Sequence, residues 1–250
     1  SGQLVGALLV GLVMKHYGAP AALTVIATGH AIAFLAFTRL RSAGEAAVKD
    51  HAPIGQNLRE YAAELRTNGI LTMLVLITAA VEVFGFSFAT ALPELATARL
   101  NLGEDGLGYL HAARAAGGIV AGLAMSFMGQ MQRRGLAYLF VIFAFGASIL
   151  LLSVEGALLF TVFAVALVAL LATTSDVLTQ SMMQLSVANE LRGRAMGVWV
   201  LAVGIAPIGH LQFGVLSVVI GLSNTLAVNG AILVVVGLVV ALAAPRLRQL

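Results

Sequence analysis

Residues 157–184 read ALLFTVFAVALVALLATTSDVLTQSMMQ. This stretch holds a single ionisable side chain, Asp176, among Val, Leu, Ala, Phe, Met and a few hydroxyls and amides. A helix needs about 20 mostly apolar residues to cross the hydrocarbon core of a bilayer. The run is longer than that and lacks period-two alternation, which excludes a strand, and an open sheet cannot satisfy its backbone in lipid. The stretch therefore reads as a membrane span with a carboxyl group inside it. Seven further segments have the same character: Ser1–Met14, Pro20–Thr38, Gly69–Leu92, Leu107–Met128, Leu136–Ser153, Gly197–Val219 and Leu226–Ala244. Ser1–Met14 is short, with no charged region before it and no small-residue cleavage site after it. A signal peptide does not fit, and the expectation is a chain that starts inside a span.

Composition points the same way. Hydrophobic residues make up 60% of the 250-residue chain and charged residues 10%, against about 25% charged in soluble domains. Mean hydropathy is +1.00. Polar side chains this scarce cannot coat a soluble surface, whereas lipid removes the need. Gly 27 with 7% aromatics suits helices that pack through small residues. With Cys 0 there are neither disulfides nor thiolate metal sites.

The net charge of +3 is a matter of topology. Arg39, Arg41, Lys49, Arg59 and Arg66 lie between the second and third spans. Arg133 and Arg134, Arg192 and Arg194, and Arg246 and Arg248 occupy every second connection after that. The intervening connections carry only Lys15 and Arg99, beside Glu94, Glu104, Asp105 and Glu155. An alternation in phase with the spans is the positive-inside pattern. It places the basic side and the C-terminus in the cytoplasm and the chain in the cell (inner) membrane, and it removes nucleic acid as a partner.

Three domains follow. Residues 1–38 are the end of one bundle, 39–68 a cytoplasmic connection, and 69–250 a six-helix bundle. Within the connection Ile54, Leu58, Tyr61, Ala62 and Leu65 form one apolar stripe, the pattern of an amphipathic helix on the membrane face.

The arrangement resembles the major facilitator superfamily, whose two six-helix halves are joined by a central cytoplasmic loop. Glu190-Leu191-Arg192-Gly193-Arg194-Ala195-Met196-Gly197 is similar to the ELRGRxMG loop between helices ten and eleven of its enterobactin-exporter and macrolide-efflux-like branch. Glu82–Phe88, Leu92-Pro93 and Gly106-Leu107-Gly108 resemble that branch's seventh helix and the start of its eighth. Gly2-Gln3-Leu4-Val5-Gly6 resembles its fifth-helix GPxxG, with Gln3 in place of proline. The loop Gly129–Gly135 is a degenerate form of the superfamily's Gly…Asp-Arg loop and lacks the acid. The resemblance implies an all-α membrane protein: a complete C-terminal six-helix half plus helices five and six, with about four preceding helices of the same protein as partners.

Ionisable and amide residues at membrane depth mark candidate transport positions. Glu82 and Arg114 lie on consecutive spans at similar depth, where they form either a structural ion pair or part of a substrate or proton pathway. Asp176, Gln180 and Gln184 recur every four residues and share one helical face, which either lines a cavity or joins helices by hydrogen bonds. His210 follows Gly204 and Pro207, where a kink is expected. Leu136–Ser153 and Leu226–Ala244 contain no ionisable residue and read as outer helices. His30 has no evident role. Gly118-x-x-x-Gly122 offers a close helix contact.

The functional reading is a secondary transporter working by alternating access, with a small amphipathic cargo, drug or siderophore-like, suggested by Phe84, Phe86, Phe88 and the few charges. Export comes from the resemblance. No Walker-type loop is present and no cofactor is expected. An intramembrane enzyme is the alternative, but no HExxH or GxSxG motif supports it; a non-transporting scaffold is the other.

Overall fold

The computed structural model describes residues 2–39, 63, 65–127, 134–187, 192–243 and 247. Every regular element among them is helical. Among the described residues seven helices are long and apolar enough to cross a membrane. The chain divides into two compact units, Ser1–Glu60 and Tyr61–Leu250.

The first unit contains α1 (Gly2–Thr38), interrupted at Gly18, where φ is 78° and ψ is 176°. Glycine takes this left-handed φ without a steric penalty. Pro20 then restarts the helix in its first turn, where the missing N–H is not needed. Polar side chains here bond to their own helix. His30 Nδ1 lies 2.9 Å from the Ile26 carbonyl, and Thr28 donates to Thr24 at 2.7 Å. His30 is thus satisfied one turn back along its own helix. The amphipathic stripe of the connection lies outside the described residues apart from Leu65.

The second unit holds six spans: α2 (Gly69–Arg99), α3 (Gly103–Phe127), α4 (Arg134–Ser153), α5 (Leu158–Leu185), α6 with α7 (Arg192–Val203 and Ala206–Ile220), and α8 (Leu222–Ala243). Two side chains show how they alternate. Asn68 Oδ1 caps α2 by accepting from Leu71 N at 3.1 Å, while its Nδ2 donates to the Ser186 carbonyl at 3.1 Å just past α5. At the opposite end Arg99 donates to the carbonyls of Leu152 at 2.8 Å, Ser153 at 3.3 Å and Val154 at 3.4 Å, and to Ser223 Oγ at 2.6 Å. The last carbonyls of a helix have no partner of their own, and a cation there is favoured. One guanidinium thus joins the end of α2 to the end of α4 and the start of α8. The helices run up and down, with Arg66, Arg134 and Arg192 at the Asn68 end and Glu94, Arg99, Asp105 and Glu155 at the other.

Packing is set by backbone-to-backbone approaches. A Cβ at Gly146 on α4 would stand 2.7 Å from the Gly230 carbonyl oxygen on α8, and one at Gly230 2.8 Å from the Gly146 oxygen. Tyr138, Phe145, Ile149 and Leu152 on α4 are fully buried. Of the seven candidate spans α4 is the most enclosed, packed on α5 and α8, and it keeps Leu136, Phe140 and Phe143 exposed on an apolar face. The contact of α3 with α5 runs through Gly117, whose Cβ would collide with the Ala166 carbonyl. Of the expected Gly118–Gly122 pair, Gly118 also faces α5, where a Cβ would lie 3.4 Å from Thr173 Oγ1, while Gly122 faces open space. The exposed faces of α3 and α7 are largely apolar, with Tyr109, Leu123 and Phe127 on one and Ile208, Leu211 and Val218 on the other.

Two spans are irregular. α2 is α-helical to Ala80, after which Phe86 N bonds back five residues to the Val81 carbonyl, a π turn. Residues Phe86–Ala91 wind more tightly as a 3₁₀ helix, and Leu100 N again reaches back five residues to Leu95 at 3.0 Å. The span formed by α6 and α7 breaks at Gly204–Ile205, just before Pro207.

Candidate functional site

The two irregular spans meet. A Cβ at Gly209 on α7 would lie 2.7 Å from Val83 Cα and 2.9 Å from the Glu82 carbonyl oxygen, so α7 touches the π turn of α2 backbone to backbone. Beyond this contact, His210 Nδ1 sits 2.9 Å from Thr90 Oγ1, joining α7 to the 3₁₀ stretch. π turns recur at functional sites, and this one carries Glu82.

Glu82 is 7% exposed, and no described residue donates a hydrogen bond to it. The charge that acts on it is that of Asp176 on α5. Gln180 lies one turn along the same helix from Asp176, and the Trp199 indole N–H on α6, which packs on α5, is buried without a hydrogen-bond partner. Among the described residues neither carboxyl has a basic partner, and carboxyls at membrane depth are neutralised by protons, by a cation or by a cationic part of a cargo.

The other candidate residues fall elsewhere. Glu82 does not pair with Arg114, whose guanidinium lies 6.0 Å from the centre of the Phe88 ring, a cation–π distance. The two share depth but face different neighbours. Arg114 stands exposed on α3 beside His111. Gln184 leaves the stripe, its Nε2 donating to Met196 Sδ of α6 at 3.3 Å. His210 is exposed except for its bond to Thr90. In the loop motif Arg192 and Gly193 open α6, Gly193 in free space. Gly197 is half-buried on α6, which also carries Arg194. Glu190 and the side chain of Arg194 lie outside what is described. The aromatic run forms core instead of lining a cavity: Phe88 is buried, and Phe86 meets Phe145 edge-on at 6.0 Å.

Trp199 and Gly209 were not among the residues read from the sequence. The signal for Trp199 was its position. It is the chain's one tryptophan and lies in the first turns of a span, near the interface where tryptophan collects. Gly209 had no signal, because its role depends on which backbone crosses it.

The sequence model of the Major Facilitator Superfamily matches residues 1–208. The chain belongs to the major facilitator superfamily. Comparison with curated proteins and with solved structures finds no match. Membership makes the chain a multi-pass membrane transporter. In this major facilitator chain the match runs through α6 and ends within α7, so it spans Glu82, Asp176 and the Gly204–Ile205 break.

Proposed function

We propose that the protein is a secondary active transporter that exports small amphipathic molecules, drug or siderophore-like, by alternating access. The observation that carries this reading is Glu82, buried at the crossing of the two broken spans, with Asp176 of α5 near enough for its charge to reach it. Transporters bind cargo and coupling ions near the membrane midplane on discontinuous helices, and a carboxyl pair there is a place for the ion, the proton or the cargo. The loop motif supports the exporter branch. The basic end faces the cytoplasm of the inner membrane, and helices from the first half of the same protein form the opposite wall of the path.

The test is transport in proteoliposomes under an imposed proton gradient. Glu82→Gln and Asp176→Asn each lower efflux at least about tenfold, ~1.4 kcal/mol of barrier, while the protein still folds. Normal coupled transport in both variants would sink the reading.

A further inference from the structure

Arg114 stands bare in the middle of a span. It lies nine residues past Asp105, where the span begins, about 14 Å into a hydrocarbon core about 30 Å thick. The side chain is exposed, and its guanidinium carbon sits 6.0 Å from the centre of the Phe88 ring. Phe88 is itself buried, so this cation–π contact holds the guanidinium against α2 and leaves the rest of it open. Among the described residues no carboxylate pairs with Arg114 and no acceptor meets its N–H groups. Arg99 is the contrast, with its N–H groups on three carbonyls and a hydroxyl. An arginine carries five donors in a planar fork and stays charged in a protein. Such a charge is too costly to leave facing hydrocarbon at this depth.

The helix itself shows which way the charge is turned. The bulky exposed residues of α3, Tyr109, Ile119, Leu123 and Phe127, lie about 140–220° around the helix from Arg114 at 100° per residue. They form the lipid face. His111 and Gly122 lie within about 80° of Arg114 by the same count; His111 is exposed, and a Cβ at Gly122 would meet nothing within 4 Å. Arg114 therefore opens onto a roomy side of α3, away from the lipid face. We propose that Arg114 is an anion subsite of the transport path, binding a carboxylate, phosphate or sulfonate group of an amphipathic cargo. The proposal rests on the transport reading above and narrows its cargo to organic anions. The planar fork suits two-point capture of such a group. His111, one turn away on the same side, keeps at least one ring N–H in either tautomer and supplies a second donor.

Two fluorescent probes test this. Anilinonaphthalene sulfonate and phenylnaphthylamine share their rings and differ by the sulfonate, and both brighten on leaving water. They are titrated into nanodiscs carrying the full-length protein, with empty nanodiscs subtracted. The wild type binds the sulfonate at least about tenfold more tightly than the neutral probe, ~1.4 kcal/mol. Arg114→Gln removes that preference and leaves the Kd of the neutral probe unchanged. His111→Glu sets a carboxylate one turn from the guanidinium, where it fills the subsite from within. It too removes the preference, and it serves as the test if Arg114→Gln fails to fold. Equal affinities in the wild type, or a preference that survives either substitution, overturns the proposal. If the wild type still drives coupled efflux, the transporter reading stands without the subsite. A preference that Arg114→Gln abolishes, in a protein that transports nothing, keeps the anion subsite and removes the transporter reading.

Discussion

Glu82 and Arg114 show what depth in a membrane does and does not decide. Their positions along consecutive spans suggested a pair, yet azimuth assigns them different neighbours, Asp176 for one and the Phe88 ring for the other. The consequence is energetic independence. Removing one member of a true buried pair is strongly destabilising, and removing the second relieves the orphaned charge. Here Glu82→Gln and Arg114→Gln should add in thermal stability in detergent, with a coupling under about 0.5 kcal/mol. Rescue of one by the other would restore the ion pair. Gln184 has the same lesson. Spacing along α5 placed it on one face with Asp176 and Gln180, but its partner Met196 lies on α6, and which residue of α6 a side chain meets depends on a crossing angle that no single helix contains.

At the scale of elements, the spans themselves were legible because about twenty apolar residues leave the backbone no other choice in lipid. Their irregularities were less so. Pro207 and Gly204 announced the break between α6 and α7. The π turn at Val81–Gly85 has no such marker, since Val, Glu and Phe sit equally well in an ordinary helix turn. It is dictated by what crosses it, and Gly209 is the residue that permits the crossing. Two glycines on α7 provide a contrast. A Cβ at Gly209 overlaps the α2 backbone, while one at Gly214 meets nothing within 4 Å. Gly209→Ala should therefore lower stability by about 1–3 kcal/mol through overpacking. Gly214→Ala should be neutral or stabilising by up to about 1 kcal/mol, because alanine is the better helix former. Thermal unfolding in detergent separates them, and equal effects would mean that the α2–α7 contact is not tight. The same comparison separates Gly118, which faces Thr173, from Gly122, which faces open space. A small-residue motif supplies room, and the neighbouring helix decides which glycine uses it.

For the whole molecule, the alternating arginines carried the up-and-down order. In the second unit Arg66, Arg134 and Arg192 gather at the Asn68 end, Arg99 is engaged by carbonyls at the other, and Arg114 lies within its span. A cysteine at Gly193, which stands in open space, should react with an impermeant thiol reagent only from the cytoplasmic side. One at Val154, exposed at the Arg99 end, should react only from outside. Labelling of position 193 in intact cells would invert the orientation. The Asn68 and Arg99 anchors also impose a condition of length on α2. A 3₁₀ residue advances about 2.0 Å against 1.5 Å for an α residue. Rewinding the six residues Phe86–Ala91 into α-helix would draw the rod in by about 3 Å and turn everything beyond it by roughly 120°. A rod clamped at both ends permits neither. Any unwinding on one side of Glu82 must be taken up on the other, so the span behaves like a screw held between two nuts, able to revolve the carboxyl without changing its own length.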